Sequence, residues 1–174
     1  MSRIYGPVRQ LGYVVRDIEA AMAHWTETLG VGPFFLFPRV GVRDVIYRGA
    51  PSDAALSIAL ANDGEMQIEL IEQLNDAPSL YRDHLDAYGE VLHHTSAWTT
   101  DFDAELARIE AAGGRVIQSG AIGRNRFAYF DTHGDYPSTT MELYDVSGGA
   151  GRLNERVREA ARGWDGADPV RRLG

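Results

Sequence analysis

The chain has 174 residues, 44% hydrophobic and 24% charged, the balance of a globular protein that buries a core without covalent staples. Its formal net charge of −8, from 17 basic and 25 acidic side chains, argues against nucleic acid or an anionic membrane as a partner. It has no cysteine, which excludes disulfides, thiolate metal sites and a cysteine nucleophile. No apolar run approaches the roughly 18–20 residues of a membrane span, and the opening MSRIYGPVRQ lacks the apolar core of a secretion signal, so a cytoplasmic protein is expected.

Residues 8–15 alternate as a strand, with Leu11, Tyr13 and Val15 on one face and Gln10, Gly12 and Val14 on the other. Asp17 is placed to cap a helix in which Ile18, Met22, Trp25 and Leu29 recur at helical spacing, and Gly30 stops it. Residues 33–37, 44–48, 56–60 and 66–71 read as strands, the last two joined by a tight turn at Asn62-Asp63-Gly64. Residues 7–73 thus form one unit. A helical connector occupies residues 74–90, started by Asp76, Ala77 and Pro78, striped by Leu80, His84, Leu85 and Tyr88, and ended by Gly89. His24, Glu72, His84 and His133 read as solvated side chains.

Residues 91–147 repeat the order: a strand over 92–99, a helix over 101–112 closed by Gly113-Gly114, and strands over 115–118, 126–130 and 139–144. Aligning RQLGYVVRDIEAAM with HHTSAWTTDFDAEL sets Gln10 on His94 and Asp17 on Asp101; QIELIE against TMELYD sets Glu69 on Glu142. A duplicated module follows, not a solenoid. Residues 151–166 hold a further helix, with Leu153, Val157, Ala160, Ala161 and Trp164 along one stripe. It is expected to dock on the surface or on a neighbouring subunit, with a lid over a pocket as the alternative. Residues 168–174 read as a loose tail.

The predicted fold class is α+β: two tandem βαβββ modules forming a curved, partly closed mixed sheet around a cavity, plus a C-terminal helix. Alternation along the strands puts Gln10, Glu69, His94 and Glu142 on one concave face, at positions related by a pseudo-twofold axis. Two carboxylates converging on a buried face repel each other and cost several kcal/mol to desolvate, a cost that a divalent cation removes. An O, O, N, O donor set suits zinc, nickel, cobalt, manganese or iron(II), with positions left for water or substrate. The same parity turns Ser96, Trp98 and Tyr144 toward the cavity, and Phe127 or Tyr129 according to strand register. His93 is expected to point the other way from His94. Arg124 and Arg126 stand where either could meet a substrate carboxylate or phosphate. The loop over residues 131–139, with Asn125, lies where it could close the cavity mouth.

The two units, with Gln, Glu, His and Glu at those positions, resemble the vicinal oxygen chelate superfamily, which includes glyoxalase I, methylmalonyl-CoA epimerase, extradiol dioxygenases and bleomycin- and fosfomycin-resistance proteins. The resemblance covers residues 7–147; the Gln, Glu, His, Glu set is similar to one ligand set among glyoxalase I enzymes, while the connector and LHHTSAW look more like the epimerase branch. It implies a divalent metal held by Gln10, Glu69, His94 and Glu142. It also implies a small-molecule substrate, a homodimer, and an isomerase, epimerase or lyase that moves a proton by way of an enediolate or enolate. Glu142 or Glu69 would be the base. Glyoxalase I carries an arginine for glutathione in its first strand; the stretch here is GYVV, which argues against glutathione. Extradiol dioxygenases use two histidines and one glutamate, and Gln10 stands at one of those positions. A binding protein without catalysis, as in the antibiotic-sequestering relatives, and an iron-dependent dioxygenase are the rival readings.

Overall fold

The structure, a computed structural model, describes residues 2–132, 136 and 138–173. The expected order of elements is present. Strand β1 (Val8–Val14) leads into helix α1 (Ile18–Glu27), whose first free amides are met by Asp17 accepting from the Ala20 N–H at 3.0 Å. Strands β2 (Phe34–Val40), β3 (Val42–Tyr47), β4 (Ala50–Pro51), β5 (Leu56–Asp63) and β6 (Met66–Gln73) follow. The connector helix α2 (Leu80–Tyr88) begins three residues later than Asp76 and Ala77 suggest. Its cap is Ser79, which accepts from the Arg82 N–H and donates to Gln73 Oε1. The second module runs β7 (Leu92–Thr99), α3 (Phe102–Ala111, capped by Asp101), β8 (Val116–Ile122), β9 (Asn125–Phe130) and β10 (Thr140–Asp145). Helix α4 (Gly149–Ala161) and strand β11 (Val170–Arg172) complete the chain.

All strands belong to one sheet, in the order β11-β2-β5-β6-β1-β7-β10-β9-β8-β3-β4. The first and last strands of each module pair in parallel, β1 with β6 and β7 with β10, and the modules join through the antiparallel pair β1/β7. The antiparallel central pair makes the modules related by a twofold rotation. One departure from a plain duplication shapes the cup. After Val40 the chain passes through Gly41 and pairs β3 with β8 of the other module, so one continuous run edges both halves. The connector is tied to the same strand: Asp83 accepts from the Tyr47 hydroxyl and pairs with Arg48 at 3.1 Å.

The outer face of the sheet packs on α1 and α3. Leu11, Tyr13, Ile68 and Leu70 meet Ile18, Met22 and Trp25, while Ala128, Phe130 and Leu143 meet Phe102, Leu106 and Ile109. The inner face carries Val14, Phe35, Leu60, Ile71, Phe127 and Tyr129, and these pack with Tyr81 of α2 and Val157 of α4. Two expectations about the C-terminus are corrected. Helix α4 docks inside the cup mouth, with Val157 fully buried there, and not on the outer surface. The tail is tied down, because β2 is an edge with unpaired backbone groups: β11 adds to it in parallel, Phe34 donates to the Pro169 carbonyl, and Leu173 donates to that of Leu36.

Candidate metal centre

The central strands set the site out as two rows on the concave face. Gln67, Gln10, Ser96 and Glu142 lie side by side across β6, β1, β7 and β10; Glu69, Gly12, His94 and Thr140 form the next row. Rotation about the axis between β1 and β7 exchanges Gln10 with His94 and Glu69 with Glu142, the correspondence read from the repeat. Gly12 and Ser96 exchange likewise, and Gly12 has to be glycine. The His94 ring lies directly over its Cα, and a Cβ there would fall 1.9 Å from His94 Cε1.

Gln10, Glu69, His94 and Glu142 are 4%, 9%, 0% and 5% exposed, so all four polar groups are taken out of water. His94 Nε2 stands 3.4 Å from Glu69 Oε2 and 3.6 Å from Glu142 Oε2. Donor atoms sharing one ion at roughly 2.1 Å stand about 3.0–3.4 Å apart, so these spacings lie at or just beyond that range. Gln10 Nε2 donates to Gln67 Oε1 at 2.8 Å, which turns its other end, Oε1, away unpaired; His94 Nε2 is also buried without a hydrogen-bond partner. Among the described residues no three His, Cys, Asp or Glu side chains are drawn into a ready-made ion cluster.

Burial dominates the electrostatics. It pushes the Glu69 carboxyl up to about 8. Glu142 is raised by the same desolvation, opposed by the pull of His94 and reinforced by the neighbouring Glu69. Burial drives His94 down, against the pull of Glu142, so its imidazole is neutral and a lone pair on Nε2 is available when the proton sits on Nδ1. That tautomer has a partner. His93 is the extra residue of a β-bulge, since β1 pairs Gly12 with His94 but Tyr13 with Leu92. The bulge overturns simple alternation and brings His93 round beside His94, Nδ1 to Nδ1 at 2.8 Å. A neutral His94, an amide oxygen and two carboxylates made costly by desolvation form a donor set that a divalent cation fits.

Residues 9–130 match the family model of the glyoxalase/bleomycin resistance protein/dioxygenase superfamily. The chain belongs to that superfamily. A comparison with curated proteins finds no match. Among solved structures it is similar to a hypothetical protein of Bacillus halodurans C-125, at TM-score 0.57 and 18% identity over 79% of this chain and 92% of that one. The methylmalonyl-CoA epimerase of Mycobacterium tuberculosis gives TM-score 0.56 and 18% identity over 83% and 90% of the two chains. A methylmalonyl-CoA epimerase of Streptomyces coelicolor, in complex with 2-nitronate-propionyl-CoA, gives 0.55 and 21% over 80% and 94%. Those likenesses are of fold.

Within this glyoxalase-like cup three of the four proposed donors, Gln10, Glu69 and Glu142, open onto a cavity of about 100 Å³, and His94 lies buried behind them. Gln10, Gln67, Glu69, Glu142, Tyr129 and Tyr144 face it, and Phe127 joins them, so both aromatic candidates of β9 point inward. Ser96, expected in the pocket, stands in the Gln10 row but is fully buried and is not among the residues that face the cavity. Two further expected pocket residues are elsewhere. Arg126 alternates with Phe127 and so points outward, where it grips Asp103 with both guanidinium nitrogens and lies 4.5 Å over the Phe102 ring. Trp98 borders a separate depression with Ser2, Tyr5 and Arg108. Arg124 likewise borders an outer groove, and Asn125 holds the carbonyls of Asp145 and Ser147. His84 is not solvated: it is 3% exposed and meets the His93 ring edge-on at 4.8 Å. Glu72 accepts from the Ile18 N–H. Of the loop expected over the mouth, residues 133–135 and 137 lie outside the described residues, and so does His133. Residues that sequence reading missed are Gln67, Gly12, Tyr81 and, on α4, Leu153 and Asn154.

No helix among the described residues is long and apolar enough to cross a membrane.

Proposed function

We propose that this chain is a metal-dependent isomerase, epimerase or lyase acting on a small acid or thioester that offers two neighbouring oxygens. The observation that carries the reading is His94 Nε2, buried without a hydrogen-bond partner between two desolvated carboxylates. Gln10, Glu69, His94 and Glu142 are the residues that would hold the ion. A divalent ion in their keeping supplies Lewis acidity to the paired oxygens of the substrate.

The rest of the chemistry falls to the chain. Glu142 or Glu69 takes a proton from the carbon beside those oxygens and returns it, a role that suits a carboxylate whose basicity burial has raised. The Tyr129 hydroxyl, hydrogen-bonded to that of Tyr81 at 3.2 Å, stays protonated because burial raises it well above its ordinary range. Ile58, Leu60 and Phe127 keep water from the reacting carbon. Support for this reaction class comes from the epimerases of like fold. The dioxygenase alternative loses ground because Gln10 replaces the second histidine.

The test is elemental analysis of protein purified without chelator, followed by exchange in deuterium oxide of the C3 protons, those beside the keto group, of small 2-oxo acids. About one divalent ion per chain is expected, falling at least tenfold in His94→Ala. Glu142→Gln is expected to keep part of the metal and lose exchange by about a hundredfold or more. Wild-type protein with no metal above the His94→Ala background overturns the site, and undiminished exchange in Glu142→Gln overturns the base.

A further inference from the structure

The cavity is small for this cup, and the reason is α4. Its bottom holds Gln10, Gln67, Glu69 and Glu142; its roof includes Leu153 and Asn154. Asn154 Oδ1 accepts from Gln67 Nε2 at 3.3 Å, and Gln67 accepts from Gln10, so the helix is hydrogen-bonded through two amides to a proposed ligand. Val157 locks the helix into the inner core, Arg158 pairs with Glu65 in the β5–β6 turn at 2.7 Å, and β11 anchors the segment beyond it to β2. Helix α4 and β11 both lie outside residues 9–130, the part that matches the family. The space left is about 100 Å³, well below the roughly 300–1,000 Å³ of a site that takes a drug-sized ligand. Its lining contains no arginine, and the chain has no lysine. A second carboxylate or a phosphate carried into that apolar space would lie unpaired, at a cost of several kcal/mol.

Resting on the proposed metal-dependent reading, we infer that the substrate is a compact 2-oxo or 2-hydroxy monocarboxylic acid with a short uncharged tail. Leu153 of α4 sets the length of that tail, and the docked helix shuts out coenzyme A thioesters. The carboxylate and its neighbouring oxygen are the chelating head; the tail meets Phe37, Ile58 and Leu60, and its end meets Leu153. Substrate choice therefore lies in the segment appended to the shared fold, while the donor residues lie within it or at its edge.

The experiment is titration calorimetry on the full chain loaded with manganese(II), using pyruvate, 2-oxobutanoate, 2-oxo-4-methylpentanoate, phenylpyruvate and acetyl-CoA as probes. In the wild type, affinity falls about tenfold or more between the short acids and phenylpyruvate, and acetyl-CoA does not bind. Leu153→Ala raises phenylpyruvate affinity about tenfold with pyruvate little changed, whereas Leu153→Met, which conserves volume, keeps the wild-type profile. Circular dichroism checks that each variant is folded; should Leu153→Ala unfold, Leu153→Phe serves instead and shortens the longest acid bound. Acetyl-CoA binding within tenfold of pyruvate, or a length profile that no Leu153 variant moves, overturns the inference. Metal content measured on the same samples separates the two readings. A chain that holds no metal yet keeps the length profile sinks only the proposed chemistry. A metal-replete chain that binds acetyl-CoA as well as pyruvate sinks only this inference.

Discussion

At the scale of single residues, the site depends on one absent side chain. The His94 ring occupies the space over Gly12, so Gly12→Ala has to displace the ring or the strand. The expected result is a folded protein whose metal affinity, read by competition with a chromophoric chelator, drops about 10–100-fold. The titrating groups give a second prediction. In the metal-free fold Glu69 keeps its proton up to about pH 8, whereas in the unfolded chain it loses it near its ordinary value of 4.5. Between those values the folded state binds more protons, so its stability falls as pH rises and levels off above about 8. His94 acts in the opposite sense, but below its ordinary 6.5, where the unfolded chain takes up a proton that the fold refuses. The clean window therefore runs from about pH 6.5 to about pH 8.5, across which the Tm of metal-free protein falls. Added manganese(II) raises Tm most at the upper end, where the ion no longer competes with a proton; a flat profile would mean that Glu69 is solvated.

How far these residues could be read from sequence depended on alternation. Glu69, His94 and Glu142 lie where period two and the internal repeat put them. The same rule failed at His93, where a bulge adds one residue and turns the side chain round. It was ambiguous at β9 until pairing with β10 set Phe127 and Tyr129 inward and sent Arg126 out to Asp103. Gln67 is not legible in sequence, because nothing local separates a glutamine that accepts from buried Gln10 from one on a solvated strand.

At the scale of elements, helices with a sequence-local cap were legible and non-local strands were not. Asp17 and Asp101 announce α1 and α3. The three residues of β11 carry no periodicity of their own and are ordered only by the free edge of β2. Trp164 holds that return path: its ring packs against Gly32, where no Cβ would fit, and its Nε1 donates to the Ala167 carbonyl at 2.7 Å. Trp164→Ala is expected to cost about 2 kcal/mol in urea denaturation, the loss of a large apolar contact that is only partly buried. The stripe of α4 was visible as Leu153, Val157 and Ala160, but a stripe does not say which surface it covers. At α2, Ser79 displaced the expected start because it satisfies both the helix and Gln73. Ser79→Ala is expected to lower stability by about 1 kcal/mol.

At the scale of the whole molecule, the duplication was legible and the exchange of strands was not. The repeat suggests two self-sufficient units, yet β3 and β4 leave the first to edge the second, and the inner core draws on both. One cooperative transition is expected in urea, with tryptophan fluorescence and far-ultraviolet circular dichroism superimposing; separated curves would show that the halves melt alone. All four proposed donors come from one chain, so a second copy is not needed to complete the site.

The crossing at Gly41 also bears on where this chain can be broken. A chain cut at Gly89, after the connector, yields two pieces, each holding an edge that only the other can cover. Neither piece has a complete inner layer, but their strand edges and apolar surfaces are mutually specific. Co-expressed as separate polypeptides, they are expected to find each other and rebuild the cup, a split protein held by sheet pairing in place of a peptide bond.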